Sequence, residues 1–210
     1  RDGSFAAPDD KLPSAETKCL SWCNFFYEGT PFEYSFFVPH DIKTLIGKMG
    51  GEKEFNARLE YGMKTNEIIW PGNQPGLIQA YLPNYTNEPW HTSELVRYHL
   101  DRYTEKGAPG CEDSGCMCSW YIFSVMGIFP CAGQDFYFLS SPSVERAKFN
   151  LPNGKTFIIK AENLSKENKY IQSVMLDGNK YNKAFIRHRD IMNGGELVFN
   201  MGKNPVNYTK

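Results

Sequence analysis

Two acidic turns carry the side chains best suited to chemistry in this 210-residue chain. The first is Gly110-Cys111-Glu112-Asp113-Ser114-Gly115, where adjacent carboxylates sit between glycines and run straight into Met117-Cys118-Ser119-Trp120-Tyr121. A turn of that kind can hold an acidic side chain at the mouth of a pocket, with the following helix packed behind it. The second, Tyr27-Glu28-Gly29-Thr30, lies far upstream among aromatic residues. Two separated carboxylates on aromatic-lined loops are what acid/base cleavage of a sugar linkage requires, one to protonate the leaving oxygen and one to activate water.

The elements that must position these turns fall into two groups, with a change of character near Pro130. Upstream the spacing predicts short helices. Asp41 can cap one through Leu45, Ile46 and Met49, ended by Gly50-Gly51. Phe55, Leu59 and Met63 mark a second at three-to-four spacing. A third is expected from Thr92 to about Lys106, with Leu95, Val96, His99, Leu100 and Tyr103 inward and Gly107 stopping it. A fourth, buried one is expected over Ser119–Met126. Downstream the signals are those of strands: Phe136–Leu139, Ala147–Leu151, a Pro152-Asn153-Gly154-Lys155 turn into Thr156–Ile159, Tyr170–Leu176 turned at Asp177-Gly178-Asn179, and Glu196–Phe199. The expected class is α+β, with a helical part over residues 1–130 and a small antiparallel sheet over residues 131–210.

Charge excludes some partners. With 23 Lys and Arg against 24 Asp and Glu the formal net charge is -1, so bulk attraction to nucleic acid or an anionic membrane is not expected. No apolar run approaches the ~20 residues that span a bilayer. The polar start Arg1-Asp2-Gly3-Ser4-Phe5 resembles no signal peptide, and the chain is expected to begin in mid-domain. Aromatics make up 15% of residues, which core packing explains first, with sugar-stacking platforms as the functional alternative. The six cysteines, Cys19, Cys23, Cys111, Cys116, Cys118 and Cys131, lack zinc-like pairs of spacings. Disulfides fit a secretory route, but Cys19 and Cys23 would share a helical face where direct pairing is awkward. Sequons at Asn84, Asn163 and Asn207 point weakly the same way.

Six segments, in order, resemble glycoside hydrolase family 92. They are Tyr27-Glu28-Gly29-Thr30 with Phe32-Glu33-Tyr34; Val38-Pro39-His40-Asp41; Gly72-Asn73-Gln74-Pro75; Pro89-Trp90 with Thr92; Glu112-Asp113 with Gly115, Met117, Trp120 and Tyr121; and Leu151-Pro152-Asn153-Gly154-Lys155. The resemblance implies an inverting, exo-acting, calcium-dependent alpha-mannosidase working on mannose-containing glycans. It also implies the later portion of an (alpha/alpha)6 toroid, so that the remaining N-terminal portion of the enzyme, in the same or a separate chain, becomes a partner. Secretion or passage through the secretory pathway is the matching localisation.

Residue by residue, the resemblance makes Glu28 the general acid and Asp113 the base. An acid working near neutrality needs apolar surroundings, and Phe25, Phe26, Tyr27 and Phe32 are placed to supply them. Asp113 can also cap the helix behind it, while Glu112 is expected to point away to a structural partner. Asn73, Gln74 and Glu33 are the implied calcium ligands, suited to a hard cation by their oxygen atoms. His40, Asp41, Phe32 and Trp90 are candidates for touching the sugar; Asp41 is equally a helix cap, and Trp90 is more readily a core residue. The chain departs from the family at Cys111, often Asp or Asn; at Gln74, often Glu; at Leu77-Ile78, often a His pair; and at Cys116, commonly Gln. These departures leave open a catalytically impaired subunit that binds carbohydrate or serves structure, as well as a plain cysteine-stabilised scaffold.

Overall fold

A computed structural model describes residue 26 and residues 28–65, 68–69, 71–110 and 112–210. The expectations for Cys19, Cys23, Phe25, Tyr27 and Cys111 lie outside the described residues. The first part is a run of short helices. α1 (Pro31–Tyr34) is capped by Thr30, whose hydroxyl accepts the Glu33 N–H, with Pro31 at its first position. In α2 (Ile42–Lys48) Asp41 is the cap, accepting the Thr44 N–H at 3.2 Å, and Gly50 and Gly51, at φ 97° and 98°, turn the chain out. α3 (Glu52–Glu60) continues into a wider turn over Tyr61–Thr65, keeping Phe55, Leu59 and Met63 in one buried row.

The third predicted helix is shorter than its pattern. α4 covers Trp90–Leu100, and Leu95, Val96, His99 and Leu100 do face inward. The chain then leaves the helical path, because the Tyr103 ring stacks on Trp120 and its hydroxyl donates to the Met117 carbonyl at 3.1 Å. Gly107 closes a tight turn with Thr104 rather than ending a helix. α5 spans Cys116–Val125, beginning three residues before the expected start at Ser119.

Downstream, β1 (Ile128–Pro130), β2 (Phe136–Leu139) and β7 (Phe185–Arg187) form one sheet in the order β1-β2-β7. A second, five-stranded sheet has the order β3-β4-β8-β5-β6, from β3 (Arg146–Asn150), β4 (Thr156–Glu162), β5 (Tyr170–Leu176), β6 (Asn179–Lys180) and β8 (Gly195–Gly202). The β3–β4 hairpin closes at Pro152–Lys155 as its turn residues indicate, and Asp177-Gly178, both at positive φ, join β5 to β6. The sheet is not wholly antiparallel, as the strand pattern suggested. β4 and β8 run parallel, because β7 and α6 (His188–Met192) intervene and return the chain to the end where β4 starts.

Two apolar clusters meet at this junction. Phe138 of β2 packs into the helical core with Tyr81, Leu95 and Trp120, whereas its neighbour Leu139 packs with Ile128, Phe157 and Phe199 of the strand core. The switch in character at Pro130 therefore falls on strands that serve both cores. Each fully buried large apolar side chain contributes about 1.5–3 kcal/mol. Polar staples fix the orientation of the two parts. Asn84 donates to the carbonyls of Leu139 and Ala184 at 2.7 and 3.2 Å, Arg97 donates to Ser141 and to the Pro142 carbonyl, and the Tyr170 hydroxyl meets Glu94 at 2.5 Å. Asn84 is consequently buried and committed, unlike the exposed sequon residue Asn163. Among the described residues no helix is long and apolar enough to cross a membrane.

Candidate active site

The two acidic turns are joined through the Asn73-Gln74 turn. Asn73 is buried, and its side chain reaches both ways: Nδ2 donates to the Glu28 carbonyl at 2.5 Å, and Oδ1 accepts the Gln74 N–H at 3.0 Å. Gln74 then donates from Nε2 to Asp113 Oδ2 at 2.9 Å. A hydrogen-bonded path thus runs from the Glu28 main chain to the Asp113 carboxylate. The close approach behind it depends on glycine. A Cβ at Gly110 would fall on the main chain of Gly72, so the loop carrying Asp113 can lie directly over the loop carrying Asn73 only without a side chain there.

Both turns store backbone strain. Among the described residues four non-glycine residues have positive φ: Glu28, Ser114, Asn163 and Asp177. Asn and Asp tolerate the left-handed region, but Glu and Ser do so less readily, at a cost of about 1–2 kcal/mol. The two atypical residues are Glu28 itself, at φ 48°, and Ser114, at φ 53°, directly after Asp113. Strain of this kind persists where surrounding contacts over-determine the backbone, as at functional sites.

Glu33 lies against the first turn. It is 2% exposed, and a Cβ built on Gly29 would sit 3.0 Å from its Oε2. Gln79 ties its main chain to the metal-candidate turn, donating to the carbonyls of Glu33 and Pro75 at 3.0 and 2.9 Å. Glu33 Oε1 is buried and has no hydrogen-bond partner. Burial pushes its carboxyl up to about 7, against a smaller downward pull from the Thr30 contact. A buried carboxylate oxygen in want of a partner suits a hard cation, as do the Gln74 amide oxygen and the Asn73 carbonyl. Among the described residues no three His, Cys, Asp or Glu side chains converge, so a cation here would lean on amide and main-chain oxygens.

The other candidates are placed differently. His40 is exposed beside the α2 cap, and hydrogen bonds from Thr44 hold the Asp41 carboxyl below its usual range. Phe32 packs between Phe36 and Tyr61 with the Arg58 guanidinium over its ring. The Trp90 ring neighbours that of His91, 5.8 Å away at the start of α4. Leu77 and Ile78 pack against the helical core, and the Leu77 carbonyl takes the Trp120 indole N–H at 2.9 Å. Gln79 and Tyr103 were not legible as site-building residues, since their partners lie 46 and 14 residues away. Cys118 and Cys131 are unbridged thiols.

Two carboxylate-bearing turns are thus tied together through the Asn73 and Gln74 amides, with the aromatic helix α5 following the second. The glycosyl hydrolase family 92 catalytic-domain model matches residues 1–203. An uncharacterized secreted glycosidase of Arthroderma benhamiae is 37% identical over 183 residues, 84% of this chain and 24% of that protein. A family GH92 alpha-mannosidase from Bacteroides thetaiotaomicron superposes with a TM-score of 0.83 at 30% identity, over 94% of this chain and 28% of its own. An inverting mannosidase of the same family and organism gives 0.82 at 29% identity, over 94% and 30%. The chain belongs to glycosyl hydrolase family 92. It spans about a quarter of the length of these relatives.

Proposed function

We propose that the chain contributes the catalytic carboxylates of an inverting, exo-acting alpha-mannosidase that trims terminal mannose from glycans. The observation that supports this reading is the path from the Glu28 main chain through Asn73 and Gln74 to Asp113, which ties two acidic turns far apart in sequence to one another. Glu28 protonates the leaving glycosidic oxygen, and Asp113 takes a proton from the attacking water on the opposite face of the sugar. An inverting geometry requires roughly 6.5–9.5 Å between such carboxyls to admit that water. The Gln74 amide, donating to Oδ2, leaves Asp113 Oδ1 for the water.

Calcium would be held by Glu33, the Asn73 carbonyl and the Gln74 amide oxygen. When bound, it supplies electrostatic stabilisation and orients ring hydroxyls. His40, exposed at its turn, is available to the terminal sugar; Asp41 supports it as the α2 cap. Mannosides are the expected substrates because mannosidases of the family share this fold and sequence. Secretion is the expected route, as for the fungal relative. The helical part forms the later portion of a toroid completed by the remaining polypeptide of a family-length enzyme.

A second reading is a catalytically impaired carbohydrate-binding subunit. It is favoured by Leu77 and Ile78, whose side chains serve the core and offer a sugar no donors. Turnover of alpha-mannosides by the full-length protein, with and without chelator, separates the two. In the enzyme, Glu28→Gln and Asp113→Asn each lower kcat by at least ~100-fold, within the usual range for losing an acid or base, and chelation lowers wild-type turnover. Unchanged turnover in both variants would exclude these roles. Mannoside binding without release of sugar from the wild type supports the second reading.

A further inference from the structure

Asp113 sits on a turn that has little intrinsic reason to keep its shape. Ser114 (φ 53°, ψ 27°) and Gly115 (φ 78°, ψ 18°) are consecutive left-handed residues. Asp113 is exposed, and its side-chain tie across the site, to Gln74, does not hold the turn to the helix behind it. What does so is Glu112. Both of its carboxylate oxygens accept the Cys118 N–H, at 3.2 and 3.1 Å, and its carbonyl accepts the Gly115 N–H at 3.3 Å. Cys118 is the third residue of α5, whose first N–H groups have no partner within the helix. A carboxylate there gains a charge-assisted hydrogen bond and a favourable position at the positive end of the helix.

The helix to which Glu112 clips the turn is itself fixed. The Tyr103 hydroxyl donates to the Met117 carbonyl, and the Trp120 indole donates to the Leu77 carbonyl. Leu77 follows directly on the turn that holds Gln74. Glu112 therefore closes a loop of contacts in which α5, the Gln74 turn and Asp113 are referenced to one another.

We propose that Glu112 is a positioning residue that clamps the strained turn onto α5 and so sets the direction of the Asp113 carboxylate. This rests on the reading of Asp113 as the base. The clamp needs an acceptor oxygen at the Cys118 amide more than it needs a charge. Glu112→Gln keeps such an oxygen; Glu112→Ala does not. Misplacing a reacting group by about 1 Å costs on the order of 100-fold in rate, so Glu112→Ala in the full-length protein is expected to lower kcat by about 10–100-fold with KM within about twofold. Glu112→Gln should restore kcat to within about threefold of wild type.

Amide hydrogen exchange at Cys118 gives a readout independent of turnover. It should accelerate at least ~10-fold in Glu112→Ala and stay near wild type in Glu112→Gln. If Glu112→Ala does not fold, Glu112→Asp, one methylene short of the amide, should show the same split with kcat down about tenfold. Wild-type kcat in Glu112→Ala, equal impairment in both variants, or unchanged exchange at Cys118 would each overturn the clamp. A wild-type protein inactive on mannosides sinks the assigned reaction instead, and the exchange measurement still decides whether the clamp exists.

Discussion

Among the described residues, Glu33 is a carboxylate held well away from water. It is buried, one oxygen lacks a partner, and burial pushes its carboxyl from 4.5 up to about 7. A carboxyl raised in the folded state binds its proton more tightly there than in the unfolded chain. Folding stability therefore falls as pH rises from about 4.5 through about 7, by at most about 1.4 kcal/mol per pH unit. Glu33→Gln removes that penalty. In calcium-free buffer the variant should exceed wild type in stability near pH 8, with the advantage fading towards pH 5, measured by urea unfolding at both values. The proposed cation would stabilise the ionised carboxylate, so added calcium should narrow the gap at pH 8. An advantage of equal size at both pH values would show that ionisation of Glu33 is not its origin.

At the scale of elements, the site depends on a crossing of two loops rather than on helix packing alone. The Gly72 and Gly110 main chains touch, and neither can retreat as a flexible side chain could. Gly110→Ala should push the Asp113 loop outward, break the Gln74–Asp113 hydrogen bond, and lower kcat by at least ~10-fold while depressing the melting temperature. Gly47, in α2, provides the contrast, because a Cβ there meets nothing within 4 Å. Gly47→Ala should leave kcat unchanged and stabilise by up to about 1 kcal/mol, the helix-propensity difference. Equal effects of the two substitutions on kcat would contradict the crossing as the source of site geometry. The early start of α5 follows the same logic. Gly115 in the left-handed region and the Glu112 carboxylate together make a beginning that hydrophobic periodicity alone did not locate.

For the molecule as a whole, the telling feature is an apolar helix with an open side. α5 reads Cys-Met-Cys-Ser-Trp-Tyr-Ile-Phe-Ser-Val, apolar nearly all round, which is the pattern of a helix buried on every face. Yet Tyr121 is 39% and Ile122 53% exposed, and both line an open groove of about 650 Å³ with Tyr103, Ala108 and Cys118. Phe37 and Tyr61 are also exposed. If the proposed toroid holds, further helices of a family-length polypeptide would cover the α5 face. The 210-residue chain produced alone should then self-associate through it and bind a hydrophobic dye, whereas Ile122→Asp should reduce both without loss of secondary structure. Sedimentation analysis at increasing concentration tests this; a monomer at ~100 µM with no dye binding would show that the face needs no cover.

The residue types and their order were enough to establish the family, the two acidic turns, the Asp41 cap and most strands. Each rests on a local rule: a short motif, a capping oxygen, alternation, or a turn sequence. Local pattern also explains the errors. α4 looked longer than it is because Tyr103 keeps helical spacing, while its actual partner is Trp120, across the fold. The β4–β8 pairing was invisible because strand direction depends on the route of β7 and α6, not on the strands themselves. That Asn73 reaches Glu28, that Gln74 reaches Asp113, and that Glu33 is left with a buried oxygen lacking a partner could come only from the tertiary structure. The sequence, through its family motifs, nominated the candidate acid, base and ligand. Their mutual distance, burial and hydrogen-bond partners were decided by contacts across 39 to 46 residues of chain, which no local periodicity encodes.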